Sequence, residues 1–147
     1  MRKFGLVGKS LGHSWSKEYF TRKLITTGLD DCSYENFQLD DIIVLKELIL
    51  SDPGLLGLNI TIPFKEHVLS LLDETDPVAQ AIGAVNCIKV SRTGNLVKLK
   101  GFNTDMPAFQ QAVKPLLHGG TKKALGFGTG GAARAGCYGL QELRSGP

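Results

Sequence analysis

The sequence predicts an α/β fold built on a mostly parallel mixed sheet flanked by helices. Three observations predict it. Short β-type runs alternate with segments of helical period along most of the chain. One pair of runs is joined by a five-residue, glycine-containing segment that suits a hairpin, which adds an antiparallel pair to the sheet. A glycine-rich loop follows a late apolar run and precedes a helical segment, as though a second βα unit were starting.

Each element has its own signal. "KFGLVG" (3–8) reads as a buried strand, and "SKEYFTRKLITTGL" (16–29) as a helix with Phe20, Leu24 and Ile25 on one face and Gly28 near its stop. "SYENF" (33–37) is a second strand. "DDIIVLKELILSD" (40–52) places Ile42, Leu45, Leu48 and Ile49 at helical spacing between an Asp cap and Pro53-Gly54. "LLGLNI" (55–60) is a third strand, after which Pro63 opens a helix through about Leu72. "AVNCIKV" (84–90) and "LVKLKGF" (96–102) flank "SRTGN", with Gly94 as the turn residue. "DMPAFQQAVKPLL" (105–117) is a helix whose first turn tolerates Pro107. "HGGT" (118–121) reads as a linker, and "KKALGF" (122–127) as the strand of the second unit. Residues 1–117 thus form one unit and 121–147 the beginning of another, an incomplete Rossmann-like βα unit.

Composition narrows the function classes. A chain of 147 residues with 42% hydrophobic content supports one ordinary core. The 17 basic and 14 acidic residues are scattered, which argues against a nucleic-acid stripe. Cys32, Cys87 and Cys137 show neither disulfide nor zinc spacing, so no metal site is expected and a reducing compartment is. The N-terminus lacks a signal-peptide core and no run reaches membrane-spanning length, so a soluble, cytoplasmic protein is expected.

"VGKS" (7–10) ends like a phosphate-binding loop, but Lys3 stands where that motif requires a glycine. Ser14 and Ser16 lie between a strand end and a helix start, where helix capping and anion binding both fit their hydroxyls. Asn59 and Thr61 share one face of a strand end, and Lys65 follows in the first turn of a helix, where the dipole disfavours a cation. Asn86 starts a strand, while Thr104 or Asp105 is the natural cap of the helix at 105. All of these positions fall at strand ends or strand-to-helix turns, where open α/β sheets bind ligands. Hydroxyls, amides, one ammonium and one carboxylate together suit a small polyhydroxylated acid.

The segments "GKSLGHSWS", "GLNITIPFK", "IGAVN", "GFNTD" and "GTGGAARA", in this order and spacing, resemble the shikimate dehydrogenase family across essentially the whole chain. The resemblance implies an NADP-dependent reduction of 3-dehydroshikimate to shikimate, on the route to chorismate and the aromatic amino acids. It implies that Ser14 and Ser16 hold the substrate carboxylate, and that Asn59, Thr61, Asn86 and Asp105 address the ring hydroxyls. Lys65 would be the acid/base group with Asp105 beside it. Gly128, Thr129, Gly130, Gly131 and Ala132 would form the cofactor loop, a register that leaves a longer strand before it than Gly126, Gly128 and Gly131 would. Lys9-Ser10 and Lys17 stand where the family commonly has prolines, and Gly126 interrupts the late strand. The ribose-reading residue of such a unit falls beyond Pro147, so the chain is read as a truncated form of low or no turnover. A non-catalytic shikimate-binding module and a quinate/shikimate dehydrogenase are the alternatives. One strand and one helix cannot cover a parallel sheet, so the tail is expected to be mobile, docked on the first unit, or paired with another copy.

Overall fold

The structure, a computed structural model, describes residues 1–117 and 123–145. Six strands form one sheet in the order β2-β1-β3-β5-β6-β4. They are β1 (Arg2–Gly8), β2 (Cys32–Gln38), β3 (Leu55–Ile60), β4 (Glu74–Thr75), β5 (Cys87–Thr93) and β6 (Leu96–Phe102). The helices are α1 (Ser16–Thr26), α2 (Leu45–Ser51), α3 (Phe64–His67), α4 (Pro77–Ile82), α5 (Asp105–Val113) and α6 (Gly131–Ser145). β1 pairs in parallel with β2 and β3, and β4 in parallel with β6, while β5 is antiparallel to both β3 and β6. Only β5 is therefore reversed. The carboxyl ends of β1, β3 and β6 and the amino end of β5 all reach the same edge of the sheet.

Strand alternation divides the core between the two faces. Val7 joins Leu45, Ile49, Ile60, Phe64 and Val68 in the larger cluster, under α2 and α3. Its neighbour Leu6 points the other way, to Tyr34, Phe20 and Leu24 under α1. Ile25, expected on the inner face of α1, is 69% exposed, so that face is narrower than its three-residue signal. Gly5 faces Glu35 across the parallel ladder, and an added Cβ would lie 2.5 Å from the Glu35 carbonyl oxygen and 2.5 Å from the Phe37 ring. The ring can turn but the carbonyl belongs to the ladder. Gly5→Val is therefore expected to destabilise the chain by about 1–3 kcal/mol, read as a lower urea midpoint.

Several boundaries differ from the sequence reading. The segment 40–52 begins as a 3-10 turn, Ile42–Val44, with Asp41 accepting from the Ile43 amide as its cap. The helix after Pro63 is regular only over Phe64–His67 and continues to Leu71 as a 3-10 turn. β5 starts at Cys87 because the amide of Val85 bonds the Lys65 carbonyl at 2.8 Å instead of a strand. The sequence reading has no helix before Ala84 here, yet Asp76-Pro77 and Gly83 bracket α4. Asp76 accepts from the Ala79 amide at 2.7 Å, and Gly83 ends the helix at φ 70.

The late strand is a correction. Lys123–Phe127 form no ladder, because no strand of the sheet runs beside them, and Leu125 and Phe127 are 81% and 88% exposed. "HGGT" and Lys122 lie outside the described residues. α6 does dock. Ala135 and Tyr138 pack with Ile82, Ala84 and Met106 of the first unit, and Gln110 Nε2 donates to the Gly139 carbonyl at 3.0 Å. Among the described residues no helix is long and apolar enough to cross a membrane.

Candidate active site

The β6-to-α5 turn builds the anionic half of the site. Thr104 takes the expected N-cap position of α5 but makes no side-chain cap bond; Asn103 supplies it, accepting from the Met106 amide at 3.1 Å and donating to the Ala84 carbonyl at 3.0 Å. Asn103 is 4% exposed and spends both ends of its amide on backbone. With the helix start satisfied there, the Asp105 carboxylate is free to face the opposite segment. Lys65 Nζ donates to its Oδ2 at 2.6 Å, and Asn86 Nδ2 donates to its Oδ1 at 2.7 Å.

The pair is partly withdrawn from water, with side-chain exposures of 17% for Lys65 and 33% for Asp105. A charged pair in such a place keeps its geometry better than one on an open surface. Asn86, buried at the amino end of β5, also donates to Thr104 Oγ1 at 2.8 Å and accepts from the Thr104 amide at 2.8 Å. Lys65, Asn86, Thr104 and Asp105 thus form one hydrogen-bonded cluster. Thr104 was missed as part of it, because only the fold brings β6 beside the start of β5.

Asn59 belongs to a second group with Tyr34, whose Oη donates to Asn59 Oδ1 at 2.8 Å. Burial pushes the Tyr34 hydroxyl well above its ordinary value of 10.0, the nearby Cys87 adds to this, and the Ser16 side chain opposes it. The folded value is the raised one, so this contribution to stability is complete below the ordinary value and is lost as pH rises above it. Unfolding free energy is expected to fall above about pH 10, less steeply in Tyr34→Phe, as followed by urea titrations at stepped pH. Burial also pushes the Cys87 thiol up.

Ser14 Oγ accepts from the Ser16 amide at 3.3 Å, a local turn that leaves its hydroxyl proton uncommitted. Trp15, at the N-cap position of α1, makes no side-chain cap bond, and the first amide of the helix is met by Ser14 Oγ. Thr61 and Lys65 line a cavity of about 360 Å³ together with Gly130, Gly131 and Ala132. Arg134 bonds Glu66, another lining residue, at 3.0 Å and the Thr129 carbonyl at 3.0 Å. A Cβ on Gly131 would come within 2.9 Å of Ala84 Cβ and 3.3 Å of Lys65 Cβ, so the start of α6 rests directly on the lysine segment.

Gly128 holds φ 114, which disfavours any side chain, and a Cβ on Gly130 would meet nothing within 4 Å. The open backbone before the first turn of α6 fits a diphosphate. Gly128, Thr129, Gly130 and Ala132 are exposed, and Gly131 is buried by packing. No hydrogen bond among the described residues joins the Ser14/Ser16 group to the Lys65 cluster. Both groups nevertheless occupy the carboxyl edge of the sheet, since Asn59, next to last in β3, pairs with Cys87 and the Ile60 amide bonds the Asn86 carbonyl at 2.8 Å.

Residues 6–88 match the shikimate dehydrogenase substrate binding domain. The chain is 37% identical to the shikimate dehydrogenase (NADP(+)) of Caldicellulosiruptor saccharolyticus, covering 97% of this chain and 51% of that protein. It superposes on shikimate dehydrogenase 1 from Peptoclostridium difficile with a TM-score of 0.84 at 34% identity, covering 97% of this chain and 52% of that one. It also superposes on the shikimate 5-dehydrogenase of Thermus thermophilus in complex with shikimate, with a TM-score of 0.82 at 35% identity, 97% of this chain and 53% of that one. The chain spans about half the length of the relatives it matches. By its matched domain and by a fold shared over nearly all its residues, the chain belongs to the shikimate dehydrogenase family.

Proposed function

We propose that this chain supplies the shikimate-binding, proton-transferring half of an NADP-dependent shikimate dehydrogenase. The observation that carries the reading is the 2.6 Å Lys65–Asp105 pair, held by Asn86 at the ligand-binding edge of the sheet. In the reduction of 3-dehydroshikimate, the cofactor when bound supplies the hydride to the ketone carbon. The ketone oxygen then gains the electron pair of the former C=O π bond and takes a proton from Lys65 Nζ, giving the alcohol of shikimate. In the reverse direction Lys65 takes that proton back. Asp105 orients the ammonium and balances its charge, and its own position is set by Asn86 and Thr104.

Ser14 and Ser16 would receive the carboxylate, and Asn59, Thr61, Asn86 and Asp105 the ring hydroxyls. Gly128, Thr129, Gly130, Gly131 and Ala132 would hold the cofactor diphosphate through backbone amides. Residues 1–117 would be the substrate unit and 121–147 the start of the dinucleotide unit. The three free cysteines fit a reducing, cytoplasmic setting.

Calorimetric titration with shikimate tests the proposal. Binding in the millimolar range or tighter is expected, weakened by Lys65→Ala. No heat at millimolar shikimate, from a chain shown to be folded, would remove it. Titration with quinate beside it separates the two related acids.

A further inference from the structure

Asn59 is held by a residue outside the machinery described so far. Tyr34 lies on β2, and its phenol reaches past β1 to donate to Asn59 Oδ1 at 2.8 Å. The ring is 4% exposed and stacked on Phe20, with centroids 4.6 Å apart and planes 18° from parallel. Its hydroxyl is therefore placed by core packing and not by a ligand. An asparagine amide has one accepting end and one donating end. The accepting end of Asn59 is engaged by Tyr34, and Nδ2 has no hydrogen-bond partner among the described residues and remains open to solvent.

We propose that Tyr34 is a positioning residue that locks the Asn59 amide with Nδ2 outward as a donor. The ligand atom that meets Asn59 is then selected as an acceptor. This deepens the proposed shikimate reading and rests on it for the identity of the ligand, whereas the orientation of Asn59 does not.

Tyr34→Phe keeps the ring and its stacking and removes only the hydroxyl. In the ligand-free 147-residue chain, the side-chain amide NMR signals of Asn59 are expected to be as ordered as the backbone, and to become mobile in Tyr34→Phe. Equal order in the two proteins overturns the proposal. Shikimate affinity is expected to fall about tenfold in Tyr34→Phe, the effect of one hydrogen bond lost from the site. Unchanged affinity, in a parent that binds, also overturns it. Asn59→Asp leaves Tyr34 bonded but offers no donor, and a tenfold or greater loss is expected there too; this variant decides the matter if Tyr34→Phe does not fold, with parental affinity as the adverse result. A parent that binds no shikimate removes the proposed function, and the order of the Asn59 amide still decides the role of Tyr34.

Discussion

Lys65→Met lowers the turnover number for 3-dehydroshikimate reduction by an expected 10²–10⁴-fold, the range for loss of a positioned general acid, or about 3–5 kcal/mol of barrier. Methionine keeps the length and apolar stem of the lysine, so the packing of Gly131 against its Cβ survives. The removed group is the only cation bonded to Asp105 among the described residues, and nothing else in the cluster carries a proton acidic enough to replace it. Thr104 and Asn86 are neutral donors already committed to each other and to Asp105. Shikimate affinity should change far less than turnover, because the serine and asparagine contacts remain. Asp105→Asn should lose less turnover than Lys65→Met, since an amide oxygen can still accept from Nζ while the charge balance is gone. Joining residues 1–117 to the nucleotide-binding half of a full-length relative gives a protein in which NADPH oxidation reads out turnover. Turnover within about threefold of the parent in Lys65→Met would remove Lys65 from the proton-transfer step.

The sequence carried β1, β2, β3, β5 and β6 and most helices, because these are local signals, whereas β4, two residues long, gave none. Alternation in "KFGLVG" and helical spacing in "DDIIVLKELILSD" need no knowledge of the fold. The position of Lys65 at a helix start was legible for the same reason. What escaped required strand order. Tyr34 reads as an ordinary strand aromatic until β1 is placed between β2 and β3, and only then does its phenol meet Asn59. Choosing Asn103 over Thr104 as the helix cap depended on Ala84 lying opposite, nineteen residues away in the chain. The late strand failed for the converse reason. "KKALGF" has strand composition, but composition gives only propensity and a ladder needs a neighbour. α4 was missed although Asp76, Pro77 and Gly83 mark both its ends, since six residues are too few for a periodic signal.

Asn86→Ala is expected to cost about 2–4 kcal/mol of stability, the sum of one hydrogen bond to a charged carboxylate and those to Thr104. For a chain of this size that is a fall of roughly 5–15 °C in melting temperature, seen by calorimetry or circular dichroism. The size of the effect follows from where Asn86 stands. At 8% exposure it has little water to replace its partners, and removing it strands both Asp105 Oδ1 and the Thr104 amide. Asn86→Asp separates loss of hydrogen bonding from loss of charge balance. It preserves the acceptor for the Thr104 amide but sets a second carboxylate against Asp105 Oδ1, now 2.7 Å from the Asn86 nitrogen. Two carboxylates so close cannot both ionise freely, so in this variant the folded pair holds a proton that the unfolded chain releases. Its stability is therefore greatest below the ordinary carboxylate range and falls as pH rises through it, whereas the Asn86→Ala deficit has no such slope. If the two variants show the same pH profile, the Asn86 amide is not facing the Asp105 carboxylate, and the charge arrangement assigned to the Lys65 cluster is wrong.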